Sequence, residues 1–99
     1  MPKALILEFD GDVGREDYEA VNGILGVDAQ SGAGDWPAPL LYHVAGAKPG
    51  GWVVFEVWES QEAQEEFMHR LGPAIAQAGL PAPARVQWLE IAGRVNLEG

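Results

Sequence analysis

The run from Lys3 to Phe9, KALILEF, is apolar and rich in branched side chains, which predicts a strand buried on both faces. Asp10-Gly11-Asp12 is turn chemistry that ends it. Tyr18, Val21 and Leu25 then recur at helical spacing behind Glu16 and Asp17, whose charge suits a helix N-terminus, and Gly26 can close the helix. Gly23 weakens that helix by roughly 1 kcal/mol relative to alanine. Leu40 to Ala45 and Trp52 to Trp58 read as two strands joined through Gly46 to Gly51, a hairpin with a loop longer than the two-residue ideal. Ser60 is a good helix N-cap with Glu62 in the first turn, and Ala63, Phe67, Leu71, Ala74, Ile75 and Ala78 form one face. Gly72-Pro73 interrupts that face, so a kink or a restart at Pro73 is expected before Gly79 and Pro81 end the helix. Ala84 to Ala92 is the last strand.

Between the first helix and the second strand, Val27 to Pro39 shows no periodicity. Loops of this length are uncommon in compact domains and often serve as lids or binding loops; the plain alternative is a connector. Trp36 is its one large side chain, and an indole is expected to dock on something rather than sit in water.

The order βαββαβ predicts an α+β, ferredoxin-like fold: a four-stranded antiparallel sheet with both helices on one face, in a single domain spanning residues 1–99. The alternation in the third strand then matters. Val53, Phe55 and Val57 point one way, and Trp52, Val54, Glu56 and Trp58 the other. Neither set suits solvent. One face packs the helices, so the other is expected to pack a second molecule, which makes the protein a homodimer joined sheet to sheet. Small size points the same way, because a short chain buries too little of its surface alone.

Composition narrows the function. Lys+Arg 6 against Asp+Glu 15 gives a formal net charge of -9, which argues against nucleic acid and anionic membranes as partners. The cations, Lys3, Arg15, Lys48, Arg70, Arg85 and Arg94, are scattered along the chain. No cysteine is present, which removes disulfides and thiolate chemistry and fits a cytoplasmic setting. No apolar run approaches the ~18–20 residues of a membrane span, and the start MPKALILEF lacks a signal-peptide core. Leu97-Glu98, near the polar end, has a cloning remnant as its less favoured reading.

The run Phe55-Glu56-Val57-Trp58-Glu59-Ser60, leading into a helix, resembles the antibiotic-biosynthesis-monooxygenase-like group of dimeric α+β barrels. The stretch from His43 to Ala78, with Val44-Ala45-Gly46, Gly50-Gly51-Trp52 and Arg70-Leu71-Gly72-Pro73-Ala74, is similar to small actinobacterial-type proteins of the same superfamily. The element order covers the whole chain, but the specific motif covers only about six residues. The resemblance implies a dimeric barrel in which Trp58 and Glu56 line a pocket between sheet and helices. It does not imply one activity, since the group includes monooxygenases, haem degraders, isomerases and proteins without a known reaction. Haem-degrading members carry a helical histidine where this chain has Phe67 and Met68, with His69 one residue later. They also use a first-strand asparagine that is missing here. Haem is therefore not expected, and neither is any other cofactor.

Candidate chemistry rests on carboxylates and His43. Glu8, Glu56 and Glu90 each interrupt an apolar strand. If all three share one sheet face, desolvation and repulsion raise at least one pKa and make a general acid or base. The alternative is that each sits at a strand end or pairs with an arginine or tyrosine. With Ala45 opposite Trp52, His43 faces the side of Trp52, Val54 and Glu56, and a one-residue slip reverses this. A histidine beside a carboxylate can shuttle a proton; otherwise it is a satisfied core residue. His69 is expected in solvent. Two separated histidines and scattered acids offer no metal-ligand spacing, and Gly32-Ala33-Gly34 is no phosphate loop.

Two functions follow. One is a cofactor-free oxygenase or isomerase acting on a small aromatic or polyketide-like molecule. In it Glu56 or His43 takes a proton, Glu56 first, and Trp58, Trp52, Trp36, Tyr18 and Phe67 line the pocket. The other is a non-catalytic dimer that binds a small molecule or serves as a structural module.

Overall fold

The computed structural model describes residues 2–93 and residue 95; Arg94 and the Leu97-Glu98 pair lie outside the described residues. Six elements follow one another: β1 (Lys3–Asp10), α1 (Arg15–Leu25), β2 (Leu40–Lys48), β3 (Gly51–Trp58), α2 (Gln61–Gln77) and β4 (Arg85–Glu90). The sheet is antiparallel throughout, in the order β2-β3-β1-β4, which is the ferredoxin-like α+β arrangement.

Each helix has local reasons to start and stop. Ser60 Oγ accepts the Ala63 N–H at 3.1 Å at the head of α2. At the head of α1 the Asp17 carboxylate reaches back to the Gly14 N–H at 3.0 Å. Gly26 ends α1 at φ 78°, the left-handed conformation that glycine tolerates. The helix does not restart at Pro73: α2 runs through it to Gln77. Proline removes the bond to His69, four residues back, and His69 lies on the exposed side where water can take the freed carbonyl.

Register decides the faces. Leu5 lies opposite Glu56, Leu7 opposite Val54 and Phe9 opposite Trp52. These residues therefore share the face under the helices, where Leu5, Leu7, Phe9, Val13, Trp52, Val54 and Trp58 form the core with Tyr18, Ala63 and Phe67 packed on it. The hairpin is tighter than the sequence suggested. β2 continues to Lys48, and only Pro49 and Gly50 turn the chain, Gly50 at φ 77°. Ala47, not Ala45, lies opposite Trp52. That displacement is two residues, so His43 stays on its expected face; an irregularity between Leu40 and Tyr42 breaks the alternation at the start of β2 and turns Leu40 inward, opposite Trp58.

The long loop is ordered by its own backbone. Val27 bridges Gly34, Asp28 N–H donates to Ala33 O at 2.8 Å, and Asp28 also takes the Ser31 hydroxyl at 2.8 Å. Gly34, at φ 107°, sits where a Cβ would lie 2.3 Å from the Gly26 oxygen, so this crossing requires glycine.

The open sheet face divides into an apolar end and a charged end. Tyr42, Val44 and Leu89 are exposed there beside half-buried Ile6, Val53 and Phe55. At the other end Lys48 contacts Glu8 at 3.1 Å and Asp10 at 2.8 Å, and Arg85 contacts the same two carboxylates at 3.1 and 2.7 Å. Lys48 reaches across from β2 because Gly51, between it and Asp10 in register, carries no side chain.

This network gives the fold an acid limit. Arg85 first and Lys48 second hold the Glu8 carboxyl below its ordinary value; for Asp10 the Lys48 ammonium leads and Arg85 follows. Depressed carboxyl pKa values add stability above the unfolded value, and it is lost as pH falls through the folded one. Denaturant midpoints are expected to hold from neutrality to about pH 5 and then fall as unfolded carboxylates begin to titrate near ~4. The fall is expected to be shallower in a Lys48→Met, Arg85→Met double variant. Equal slopes in both proteins would show that the network contributes nothing.

Candidate functional site

Between the helices and the sheet lies a cavity of about 60 Å3 with almost wholly apolar walls. Tyr18, Trp36, His43, Trp52, Glu56 and Phe67 all border it, together with leucines from β1 and both helices. Trp58 does not. It is fully buried next to the cavity, tilted against Phe67 at 5.6 Å between ring centroids.

The polar groups form one chain. β3 carries Glu56 inward, and β2 places His43 directly opposite it in register. The Trp58 indole N–H donates to Glu56 Oε1 at 2.9 Å. His43 Nδ1 meets Glu56 Oε2 at 2.8 Å. On its other side, His43 Nε2 is hydrogen-bonded to the Tyr18 hydroxyl from α1. Trp58 can only donate, so Glu56 Oε1 must accept. With Glu56 ionised, its other oxygen accepts too, which puts the His43 proton on Nδ1 and leaves Nε2 to accept from Tyr18. Trp58 fixes the direction of the first bond, and an ionised Glu56 with a neutral imidazole fixes the other two.

Burial pushes the Tyr18 hydroxyl above the ordinary tyrosine range, Asn22 works against this, and the Glu56 charge adds to it. Tyr18 therefore stays a phenol at neutral pH and can serve as the donor this chain requires. Asn22, one turn after Tyr18 on the same helical stripe, is buried at the cavity wall. The sequence reading missed it, although its i+4 spacing from Tyr18 carried the signal.

The strand carboxylates follow the alternative reading, in which each pairs with a cation or sits at a strand end. Glu8 does not share a face with Glu56: β1 pairing sets it opposite Val53, on the open face, in the ion-pair network. Glu90 stands exposed at the sheet edge, 3.9 Å from Lys3. The three strand carboxylates therefore do not cluster, because parity fixes faces within a strand and only pairing fixes them between strands. Glu56, the first candidate for base, has both oxygens taken by Trp58 and His43, and Tyr18 and His43 border the same cavity. His69 is exposed as expected, 3.9 Å from Glu66. Among the described residues no group of three or more acids and histidines is arranged to hold a metal ion.

Two features remain open to a ligand. Trp52 Nε1 is buried without a hydrogen-bond partner among the described residues, a donor that an acceptor atom in the cavity would satisfy. Trp36 comes down from the long loop onto His43, with ring centroids 5.2 Å apart and an interplanar angle of 51°.

No family model matches the chain, and neither does any curated protein. Solved structures do match. A putative antibiotic biosynthesis monooxygenase from Chloroflexus aurantiacus J-10-fl superimposes over 96% of this chain and 98% of its own, with TM-score 0.62 and 17% identity. Rv0793 from Mycobacterium tuberculosis superimposes over 97% of this chain and 100% of its own, with TM-score 0.65 and 20% identity. At these identities the likeness shows the shared ferredoxin-like fold over the whole chain, the fold that the Phe55–Ser60 resemblance implied.

Replacing Glu56 by glutamine tests the direction of the chain. The amide oxygen must still accept from Trp58, so the amide NH2 faces His43 and Nδ1 must become the acceptor. The imidazole proton is then expected on Nε2, donated to the Tyr18 oxygen. Imidazole 15N shifts at neutral pH should show the Nδ1–H tautomer in the wild type and Nε2–H in Glu56→Gln. The same tautomer in both would refute the assignment.

Proposed function

We propose that the cavity binds a small planar aromatic or polyketide-like molecule and removes a proton from it without a cofactor, the substrate anion then isomerising or reacting with oxygen. The observation that carries this reading is the Tyr18–His43–Glu56–Trp58 chain at the wall of an otherwise apolar cavity. A buried carboxylate backing an imidazole stabilises the imidazolium that forms when the imidazole accepts a proton.

The step balances as follows. An acidic C–H of the substrate passes its proton to the Tyr18 oxygen while Tyr18 passes its own to His43 Nε2. The products are a substrate carbanion, a neutral tyrosine and an imidazolium paired with Glu56. Glu56 is then a positioning residue that holds His43 in the accepting tautomer. In the oxygenase case a CH2 centre and O2 give a carbonyl and water, with electrons from the substrate alone. The unpaired Trp52 N–H favours a ligand that carries an oxygen acceptor. The likeness to a putative antibiotic biosynthesis monooxygenase from Chloroflexus aurantiacus J-10-fl supports the same reaction class.

The same proposal includes a cytoplasmic homodimer. Exposed Tyr42, Val44 and Leu89 around Phe55 make an apolar sheet face that a second copy can cover. Among the described residues no helix is long and apolar enough to cross a membrane. The second reading, a non-catalytic small-molecule-binding dimer, keeps the cavity and drops the proton step.

2-Tetralone, a bicyclic ketone with an acidic benzylic C–H, separates the two. In D2O without oxygen, the wild type is expected to catalyse deuterium exchange at that carbon. His43→Gln should abolish it, and Tyr18→Phe should slow it by about a hundredfold or more. Binding of 2-naphthol, a flat mimic of the enol, without exchange of 2-tetralone would favour the non-catalytic reading.

For the assembly, light scattering at micromolar concentration should give a dimer. Phe55→Asp should give a folded monomer, since a charge at the seam has no partner. A monomeric wild type would overturn the dimer.

A further inference from the structure

With the loop 27–39 in place the cavity measures about 60 Å3, whereas an apolar cavity of roughly 150 Å3 is what takes up one benzene. A fused-ring ligand can enter only if a wall moves. Most walls belong to the sheet and the helices, where close packing resists displacement. Trp36 is different. It stands on irregular chain, half-buried, and its indole N–H donates to Ala33 of the same loop at 3.0 Å, so the side chain is tied to the loop that carries it.

Backbone bonds from outside the loop hold it at two points: Asp35 N–H donates to Gly26 O next to Trp36, and Pro39 O accepts from Glu59 N–H at the far end, both at 2.9 Å. Among the described residues, the only side chain from outside that hydrogen-bonds the loop is Arg70 on α2. One guanidinium nitrogen lies 3.3 Å from the Asp35 carboxylate, 3.5 Å from the Asp35 carbonyl and 3.1 Å from the Leu25 carbonyl that ends α1. The guanidinium also sits over the Phe67 ring, 5.3 Å from its centroid, and Phe67 is itself a cavity wall. Arg70 thus joins α1, α2 and the residue immediately before Trp36.

We propose that Arg70 is the latch of a lid formed by Trp36, and that a planar fused-ring ligand enters by releasing this latch and taking the place of the indole against His43. The proposal rests on the cavity being the binding site, as argued under Proposed function, but not on proton transfer there. All three contacts share one guanidinium nitrogen, and it is the planar group lying over Phe67 that lysine cannot reproduce fully. Arg70 is partly exposed, so its loss is expected to change lid rates modestly rather than unfold the domain.

The test uses the full chain with 2-naphthol as the probe. In stopped-flow binding, Arg70→Gln should raise the association rate by about fivefold with little change in the dissociation rate, so that Kd tightens by the same factor, and Arg70→Lys should fall between. Acrylamide quenching of tryptophan fluorescence should increase in Arg70→Gln, and the increase should vanish in a Trp36→Phe background. Unchanged rates and quenching would overturn the latch. So would an increase in quenching that persists without Trp36, which means general loosening. Failure of the wild type to bind 2-naphthol would overturn the ligand half of the proposal. Latch kinetics without 2-tetralone exchange would leave Arg70 in place and defeat the catalytic reading. Exchange with rates indifferent to Arg70 would do the reverse.

Discussion

A carboxylate buried in an apolar core is the constraint on which the site depends. Ionised and unpaired, Glu56 would cost more than a domain of this size can offset. Its two oxygens are each met, by the Trp58 indole and the His43 ring, and meeting them fixes much else. Trp58 must turn its N–H along the strand toward a residue two positions earlier. His43 must lie directly across the ladder. Tyr18 must then supply the proton that His43 Nε2 lacks. A helix residue, two strand residues opposite one another and a strand-end indole are thus tied together by hydrogen-bond direction alone. Such networks specify one arrangement because partial satisfaction is costly.

The two sheet faces divide the remaining work. Under the helices, large side chains leave a small apolar space with one polar edge. On the open side, an apolar end and a four-charge end share the same strands. Gly51 connects the two faces of the argument. It lets Lys48 pass over to Glu8 and Asp10, and its own Cβ would lie 1.9 Å from the Phe9 oxygen, so β1 and β3 could not approach with any larger residue there. The fold itself hosts many activities, and the reading of function therefore stands on the site.

Much of this was legible in the sequence. Alternation in Trp52–Trp58 marked both faces of β3, and helical spacing placed Tyr18, Phe67 and Leu71 toward them. His43 came out on the correct side although the hairpin turn was placed too early, because an error of two residues preserves parity. Whether Glu8 would join Glu56 stayed open, because nothing local says which residue of β3 it will face. The roles were harder than the positions. Glu56 looked like a base because it was the acid among indoles, and only the ladder shows that its oxygens are occupied. Arg70 left no local signal: its partners, Leu25 and Asp35, are far away in sequence and meet it only after both helices pack.

The central claim is that the space beside Tyr18 and His43 is where a ligand sits, with Trp36 the piece that yields to it. A crystal structure of the protein soaked with 2-naphthol tests this most directly. The account predicts the naphthol rings against His43 and Trp52, the naphthol hydroxyl within hydrogen-bond distance of the Tyr18 oxygen, and Trp36 displaced. Naphthol found only on the open sheet face, with the cavity still closed under Trp36, would contradict it.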